Sequence, residues 1–235
     1  MGTLKGSHAL PRRCAASQAG RLPTQPMAPL LVGIAGGSGS GKSTLAQGVA
    51  GALGPGEVVV LAHDAYYHEL GHLPPVQRAG RNFDEPAALD NARLCEDLRR
   101  VRAGGTITRP NYDFATHTCL PETTPVSASP VVIIEGILVL AIPGLREMLE
   151  LKVFVETSEG TRSARRMARD MAERGRTRES VLAQYHGITR PMHDLHVEPS
   201  RCHADLVISG EDAAAQAVER LVLAIRRALE ARIRA

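Results

Sequence analysis

Residues 36–44 read GGSGSGKST. Gly36, Gly41, Lys42 and Ser43 fit G-x-x-x-x-G-K-[ST], the spacing of a loop that cradles phosphate. Each residue type has a use there. Gly36, Gly37, Gly39 and Gly41, with Ser38 and Ser40 between them, permit the positive φ angles that turn successive N–H groups onto phosphate oxygens. Lys42 brings a compact positive charge toward the β- and γ-phosphates, and the Ser43 hydroxyl can ligate Mg²⁺. The apolar run Leu30-Leu31-Val32-Gly33-Ile34-Ala35 predicts a strand ahead of the loop, and Thr44 to Ala52 a helix behind it. A strand feeding a glycine loop that opens a helix sets the phosphate on the helix N-terminus. A nucleoside triphosphate is the implied ligand.

Two acids stand where buried strands should end. Asp64 follows Val58-Val59-Val60-Leu61-Ala62, and Glu135 follows Val131-Val132-Ile133-Ile134. In a parallel sheet ligands collect beyond the carboxyl ends of the strands, so both acids should meet the glycine loop at one rim. A carboxylate at Asp64 can take a proton from an attacking hydroxyl, and one at Glu135 can join Ser43 on a metal ion. On position alone, a turn aspartate and a solvated strand-end acid are the alternatives. Arg162, Arg166 and Arg169 share one helix face, and Arg174, Arg176 and Arg178 follow across Gly175. Such a run is commonly a solvated face or a nucleic-acid patch. No aromatic is interleaved, so base stacking has no support. A lid that neutralises phosphoryl charge fits better.

The elements that must position these residues follow from periodicity. Besides the three strands above, Leu151 to Val155 and Leu206-Val207-Ile208 read as strands. Leu89 to Ala103, Ser158 to Glu173 and Glu179 to Met192 read as helices. Thr106 to Thr124 alternates weakly, as a β-hairpin flap does. Val218, Leu221, Val222, Ile225, Leu229 and Ile233 fall on one face of a last helix. Buried strands alternating with helices predict an α/β fold: a five-stranded parallel sheet flanked by helices, with the flap at about 105–124 and an Arg-rich helical lid at about 162–190.

Composition narrows the function classes. The chain has 235 residues, enough for one such domain over 28–235. Residues 1–27 lack periodicity and read as a disordered or non-native extension, holding Lys5, Arg12, Arg13 and Arg21 but no acid. Without those four, the 28 basic residues fall to 24 against 25 acidic ones, and the net charge of +3 turns to −1. That is not the profile of a nucleic-acid binder. No apolar run is long enough for a membrane span. Cys14, Cys95, Cys119 and Cys202 are scattered, which suggests neither a metal site nor disulfides and fits a cytoplasmic setting.

Taken with YDFATHT (112–118), IIEGIL (133–138), ARRMARDMAERGR (164–176) and the AQY and RPMH segments, the chain resembles the uridine kinase (uridine–cytidine kinase) family from about Leu31 to Asp212. The resemblance implies ATP, or GTP, as donor, Mg²⁺ as metal, and uridine and cytidine as acceptors phosphorylated at the 5′-hydroxyl. Asp64 would be the base, with Lys42 on the phosphates and Ser43 and Glu135 on the metal. Gly36 to Thr44, Arg169, Arg174 and Asp212 would face the nucleotide. Asp84, Tyr112, His117, Arg166, Arg176 and Gln184 would hold the nucleoside, with Phe83, Phe114 and Tyr67 supplying planar walls. A homo-oligomer, a tetramer, is also implied. Glu85, Ala87 and Leu89 depart from the family pattern after Asp84. Tyr66, Tyr67, Phe83, Tyr112 and Phe114 make up five of only seven aromatics, so most are expected around one pocket. Two other readings are a phosphoribulokinase-like enzyme acting on ribulose 5-phosphate and a non-catalytic nucleotide sensor.

Overall fold

The computed structural model describes residues 28–234; the extension expected over 1–27 lies outside the described residues. Leu30–Gly36 (β1) is buried along its whole length, which is why it reads as a continuous apolar run and not an alternating one. There follow α1 (Lys42–Leu53), β2 (Val58–Ala62), α2 (Asn91–Arg102), β3 (Ile107–Asp113), β4 (Thr118–Val126), β5 (Val131–Glu135) and β6 (Leu151–Glu156). After these come α3 (Glu159–Glu173), α4 (Arg178–Gln184), β7 (Leu206–Ser209) and α5 (Ala214–Arg234). Five strands make one sheet in the order β2-β5-β1-β6-β7, with every neighbouring pair parallel. β3 and β4 form a separate antiparallel hairpin. The expected α/β architecture is the observed one.

Strand periodicity divides the core into two layers. Leu30, Val32 and Ile34 pack with Ile133, Val153 and Ile208 against α1 and α5, through Leu45, Val49, Leu221 and Ile225. Leu31 and Ala35 face the other way, toward Leu61, Val132, Ile134 and the α2 residues Leu94, Leu98 and Val101. Alternate residues of one strand thus hold helices on opposite faces.

Caps set the helix starts. The Asp90 carboxylate accepts from Arg93 N at 3.0 Å, so α2 begins at Asn91 and not at Leu89. Leu89 is occupied otherwise, in an isolated bridge with Tyr67. The Ser158 hydroxyl accepts from Thr161 N at 3.4 Å and starts α3. The helix expected to end at Met192 instead runs on in pieces to His203, through two widened π segments at Tyr185–Thr189 and His193–Val197. Pro191 and Pro199 lie just beyond them. A proline ring and its missing N–H are incompatible with a regular i→i−4 ladder, and a widened turn accommodates both.

Leu221 is fully buried on α5 against β1 and α1. Leu221→Ala should lower the free energy of unfolding by about 2–5 kcal/mol, read by urea denaturation. A change under half a kcal/mol would show that this layer repacks freely.

Candidate active site

The glycine loop leaves β1 and enters α1 through Gly39 and Gly41, with φ of 80° and 98°. At Gly39 an added methyl would overlap the Arg162 backbone carbonyl, so space as well as φ demands glycine. No side chain caps α1, and its first turn carries no acid. Its N-terminal amides remain available to an anion. Lys42 is buried and its Nζ donates to Gly37 O at 3.0 Å. Ser43 Oγ donates to Glu135 Oε1 at 3.0 Å. The first turn of α1 and the carboxyl end of β5 are therefore joined side chain to side chain.

Burial governs the charges here. It pulls the Lys42 ammonium below its usual range, against the opposing attraction of Glu135 and Asp64. The same desolvation pushes the Glu135 carboxyl above its usual range. Asp64 lies in the 3₁₀ turn His63–Tyr66 that ends β2, and its Oδ1 is buried without a hydrogen-bond partner. A buried acceptor left open is costly, and a ligand hydroxyl would satisfy it.

These groups share a cavity of about 470 Å³. Of the residues singled out from sequence, Ser38, Gly39, Gly41, Lys42, Ser43, Thr44, Asp64, Glu135, Arg169, Arg174 and Asp212 line it. So do Tyr67, Phe83, Asp84, Tyr112, Phe114, His117, Arg166, Arg176 and Gln184. Gly36, Gly37 and Ser40 do not. Gly36 is the last residue of β1, and Ser40 is fully buried beneath the loop. Arg162 is also off the cavity, under the glycine loop, with Nε donating to Thr157 O at 3.1 Å. Arg178 is exposed at the start of α4.

One end of the cavity is aromatic. Tyr67 meets Phe83 edge-on at 5.3 Å and Tyr112 at 5.1 Å. Tyr112 meets Phe114 at 5.4 Å. His117 stacks on Phe83 at 4.4 Å. Tyr66 departs from the expectation: it is buried in the core, where its hydroxyl donates to Asp97 Oδ2 at 3.0 Å. Tyr66 closes the 3₁₀ turn, whereas Tyr67 is held in the bridge with Leu89, and of the two only Tyr67 lines the cavity. Leu89, which departs from the family pattern, backs Tyr67 through the bridge described above. The Arg174 guanidinium lies 4.8 Å from the Phe114 ring centroid. Arg176 Nη2 sits 3.2 Å from His117 Nε2. Arginine has no acceptor, so His117 Nε2 accepts and its proton resides on Nδ1. Burial, then the charges of Arg176 and Arg174, hold this imidazole down at about 4.

The opposite end is lined by Ser209, the last residue of β7, and Gly210, directly after it, and by Ala217 and Val218 of α5. Sequence reasoning missed it, although the strand-end rule that located Asp64 and Glu135 applies equally to Ser209-Gly210. It also missed Arg165, whose Nη1 donates to Gly210 O at 2.9 Å. A further omission is Asp170, a fully buried carboxylate among the lid arginines.

A parallel sheet, a glycine loop opening α1 and a basic helical lid over one cavity define a P-loop kinase. Residues 31–215 match the model of the Phosphoribulokinase / Uridine kinase family, and the chain belongs to that family of phosphotransferases. It is 42% identical over 203 residues to a uridine kinase of Chloroflexus aurantiacus, across 86% of this chain and 97% of that one. A uridine kinase of Clostridium perfringens is 42% identical over 180 residues, 77% of this chain and 86% of its own. The phosphoribulokinase of Rhodobacter spheroides superposes with a TM-score of 0.57 at 14% identity, over 77% of this chain and 70% of that one. That last likeness is one of fold alone. No helix among the described residues is long and apolar enough to cross a membrane.

The depressed His117 pKa fixes the sign of an acid response. The unfolded chain protonates this histidine near pH 6.5, whereas the folded chain resists until about pH 4. Stability contributed by the neutral form is present above pH 6.5 and is lost as pH falls toward 4. His117 has φ of 57°, which asparagine tolerates. Denaturation of wild type and His117→Asn from pH 7.5 to 4 should show the stability difference shrinking with acidity. A constant difference would mean that His117 titrates normally.

Proposed function

We propose that the chain transfers the γ-phosphoryl group of ATP to the 5′-hydroxyl of uridine or cytidine. The observation that carries this is a single cavity with two unlike ends and Asp64 in its wall. One end offers free amides and cations to a triphosphate, and the other offers aromatic faces and a carboxylate to a nucleoside. Phosphoryl transfer needs little covalent help from protein; positioning and charge neutralisation supply most of the rate.

The donor lies with its phosphates on Gly39 to Thr44 and the α1 amides, and its base toward Ser209-Gly210 and Val218. Lys42, Arg169 and Arg174 neutralise charge on the transferring group. Asp64 Oδ1, lacking a partner, takes the 5′-hydroxyl proton as the new bond forms. Asp84, buried at the aromatic end, accepts from ribose hydroxyls. Phe83, Tyr112 and Phe114 enclose the pyrimidine, while His117 and Arg176 meet its polar edge, with Arg166 and Gln184 behind.

The residues present suit Mg²⁺ as the metal. Among the described residues no group of three or more His, Cys, Asp or Glu could hold an ion by itself. Mg²⁺ does not ask for one, since it keeps waters and binds through one or two protein ligands plus phosphate oxygens. Ser43 and Glu135 are such a pair; desolvation raises the Glu135 pKa and the Lys42 charge opposes it only in part, so a further cation there would be favoured. The ion, when bound, would offset charge developing on the phosphates during transfer.

ADP release with Mg-ATP should depend on uridine or cytidine and not on ribulose 5-phosphate, whose own phosphate would have to face the aromatic wall. No turnover with either nucleoside would overturn the assignment, and any nucleoside-dependent ADP formation excludes a mere sensor. Asp64→Asn should lower kcat by roughly 10²–10⁴-fold with the Kd for ATP retained. Undiminished turnover would remove Asp64 from the role of base.

A further inference from the structure

Asp170 is fully buried on α3, and four arginines reach its carboxylate. Arg169 Nη2 and Nε contact Oδ1 at 2.9 and 3.0 Å, and Arg174 Nη1 approaches the same oxygen at 3.4 Å. Oδ2 faces Arg166 Nε at 3.6 Å and Arg176 Nη1 at 3.7 Å. Each oxygen thus serves one pair. The pairs lead to different parts of the cavity. Arg166 Nη1 donates to Ser38 Oγ of the glycine loop at 2.9 Å. Arg176 holds His117 of the β3–β4 hairpin, and Arg174 covers Phe114 beside it. Gln184 Oε1 accepts from both Arg166 and Arg176, closing the ring on the Oδ2 side.

Four guanidiniums crowded around one carboxylate carry excess positive charge in a desolvated place. Burial already holds Arg174 and Arg176 below their usual range. Such a cluster is stable only while Asp170 stays ionised and central. A triphosphate offers competing oxygens to the more accessible Oδ1 pair; Arg169 is 34% exposed at its side chain, whereas Arg166 is 6% exposed. When Arg169 and Arg174 turn toward phosphate, the Asp170 charge is shared by two cations in place of four. The mutual repulsion of the arginines is then relieved, Asp170 holds Arg166 and Arg176 against less opposing charge, and with them Gln184 and His117 are drawn into fixed positions.

We propose that Asp170 is a positioning residue that couples the two ends of the cavity, so that triphosphate taken by the Oδ1 arginines tightens the nucleoside grip of the Oδ2 arginines. Coupling of this kind is reciprocal and commonly fivefold or more in affinity. The inference rests on the uridine assignment above for its acceptor, though not for its donor.

The test compares wild type, Asp170→Asn and Asp170→Glu by calorimetry, each confirmed folded by its thermal melt. In wild type, a non-hydrolysable ATP analogue should lower the uridine Kd by roughly fivefold or more. Asp170→Asn should bind the analogue as well as wild type, because its cations are freed, yet show the same uridine Kd with and without it. Asp170→Glu should recover part of the coupling. A wild-type uridine Kd indifferent to the analogue overturns the proposal without recourse to any variant, as does coupling that survives in Asp170→Asn. Should uridine not bind wild type at all, the acceptor assignment fails and coupling is read by hydrogen exchange. The analogue alone should then slow amide exchange over 107–126 in wild type and not in Asp170→Asn. Equal slowing in both would overturn it.

Discussion

Charge buried at the carboxyl edge of a parallel sheet is the constraint on which the rest of the molecule depends. Desolvation acts on Lys42 and Glu135 in opposite pKa directions because it disfavours the ion in each case. Their mutual attraction, with that of Asp64, offsets part of this penalty. Neither acid nor base could sit there alone. The sheet order matters for the same reason: β1 lies between β5 and β6, so the loop leaving it is flanked by Glu135 on one side and by the start of the lid on the other. Folding holds the charges together before any ligand arrives, and this is the preorganisation that electrostatic catalysis requires.

Much of this was legible in residue order, for identifiable reasons. The glycine loop could be read because backbone amides do the binding, and few residue types permit the backbone to bend that way. Asp64 and Glu135 stood out because an acid directly after four or five apolar residues contradicts its surroundings. The sheet was legible because both of its faces are covered, which turns each strand into an unbroken apolar run. Nothing comparable announces Asp170. An acid four residues after Arg166 looks in sequence like an ordinary exposed helix pair, and only the turn of the chain after α3, where Arg176 N donates to Asp170 O at 3.2 Å, brings Arg174 and Arg176 back to make it the centre of four cations. Arg162 misleads for the converse reason. It shares a helix face with Arg166 and Arg169 on paper, yet one turn nearer the N-terminus that face already lies under the glycine loop.

The two ends of the cavity differ in how they are built, and that difference explains which was read more completely. At the aromatic end the surface is made by large side chains from four separate stretches: Tyr67, Phe83 with Asp84, the hairpin and the lid. In a chain with seven aromatics, four of them at one wall form a pattern that the composition itself makes conspicuous. At the Ser209–Val218 end the lining is backbone, alanine and a β-branched residue. Such residues have no chemistry of their own to advertise. Their contribution is shape, and shape appears only once β7 and α5 are folded side by side.

This asymmetry fits the demands that the proposed donor and acceptor would place on each end. A purine base on a long triphosphate is already held by its phosphates, so its pocket needs contact more than recognition, and small residues give close contact at low entropic cost. A nucleoside acceptor has no such anchor. Its orientation must come from directed groups, and a misplacement of about 1 Å would forfeit the in-line approach. The aromatic end, in that reading, therefore carries the stacked His117, the closed Arg166–Gln184–Arg176 ring and the hairpin that both engage. Since those groups are tied to the same lid that, in the proposed reading, offers Arg169 and Arg174 to phosphate, an ordered acceptor end and a neutralised donor would follow from one local arrangement.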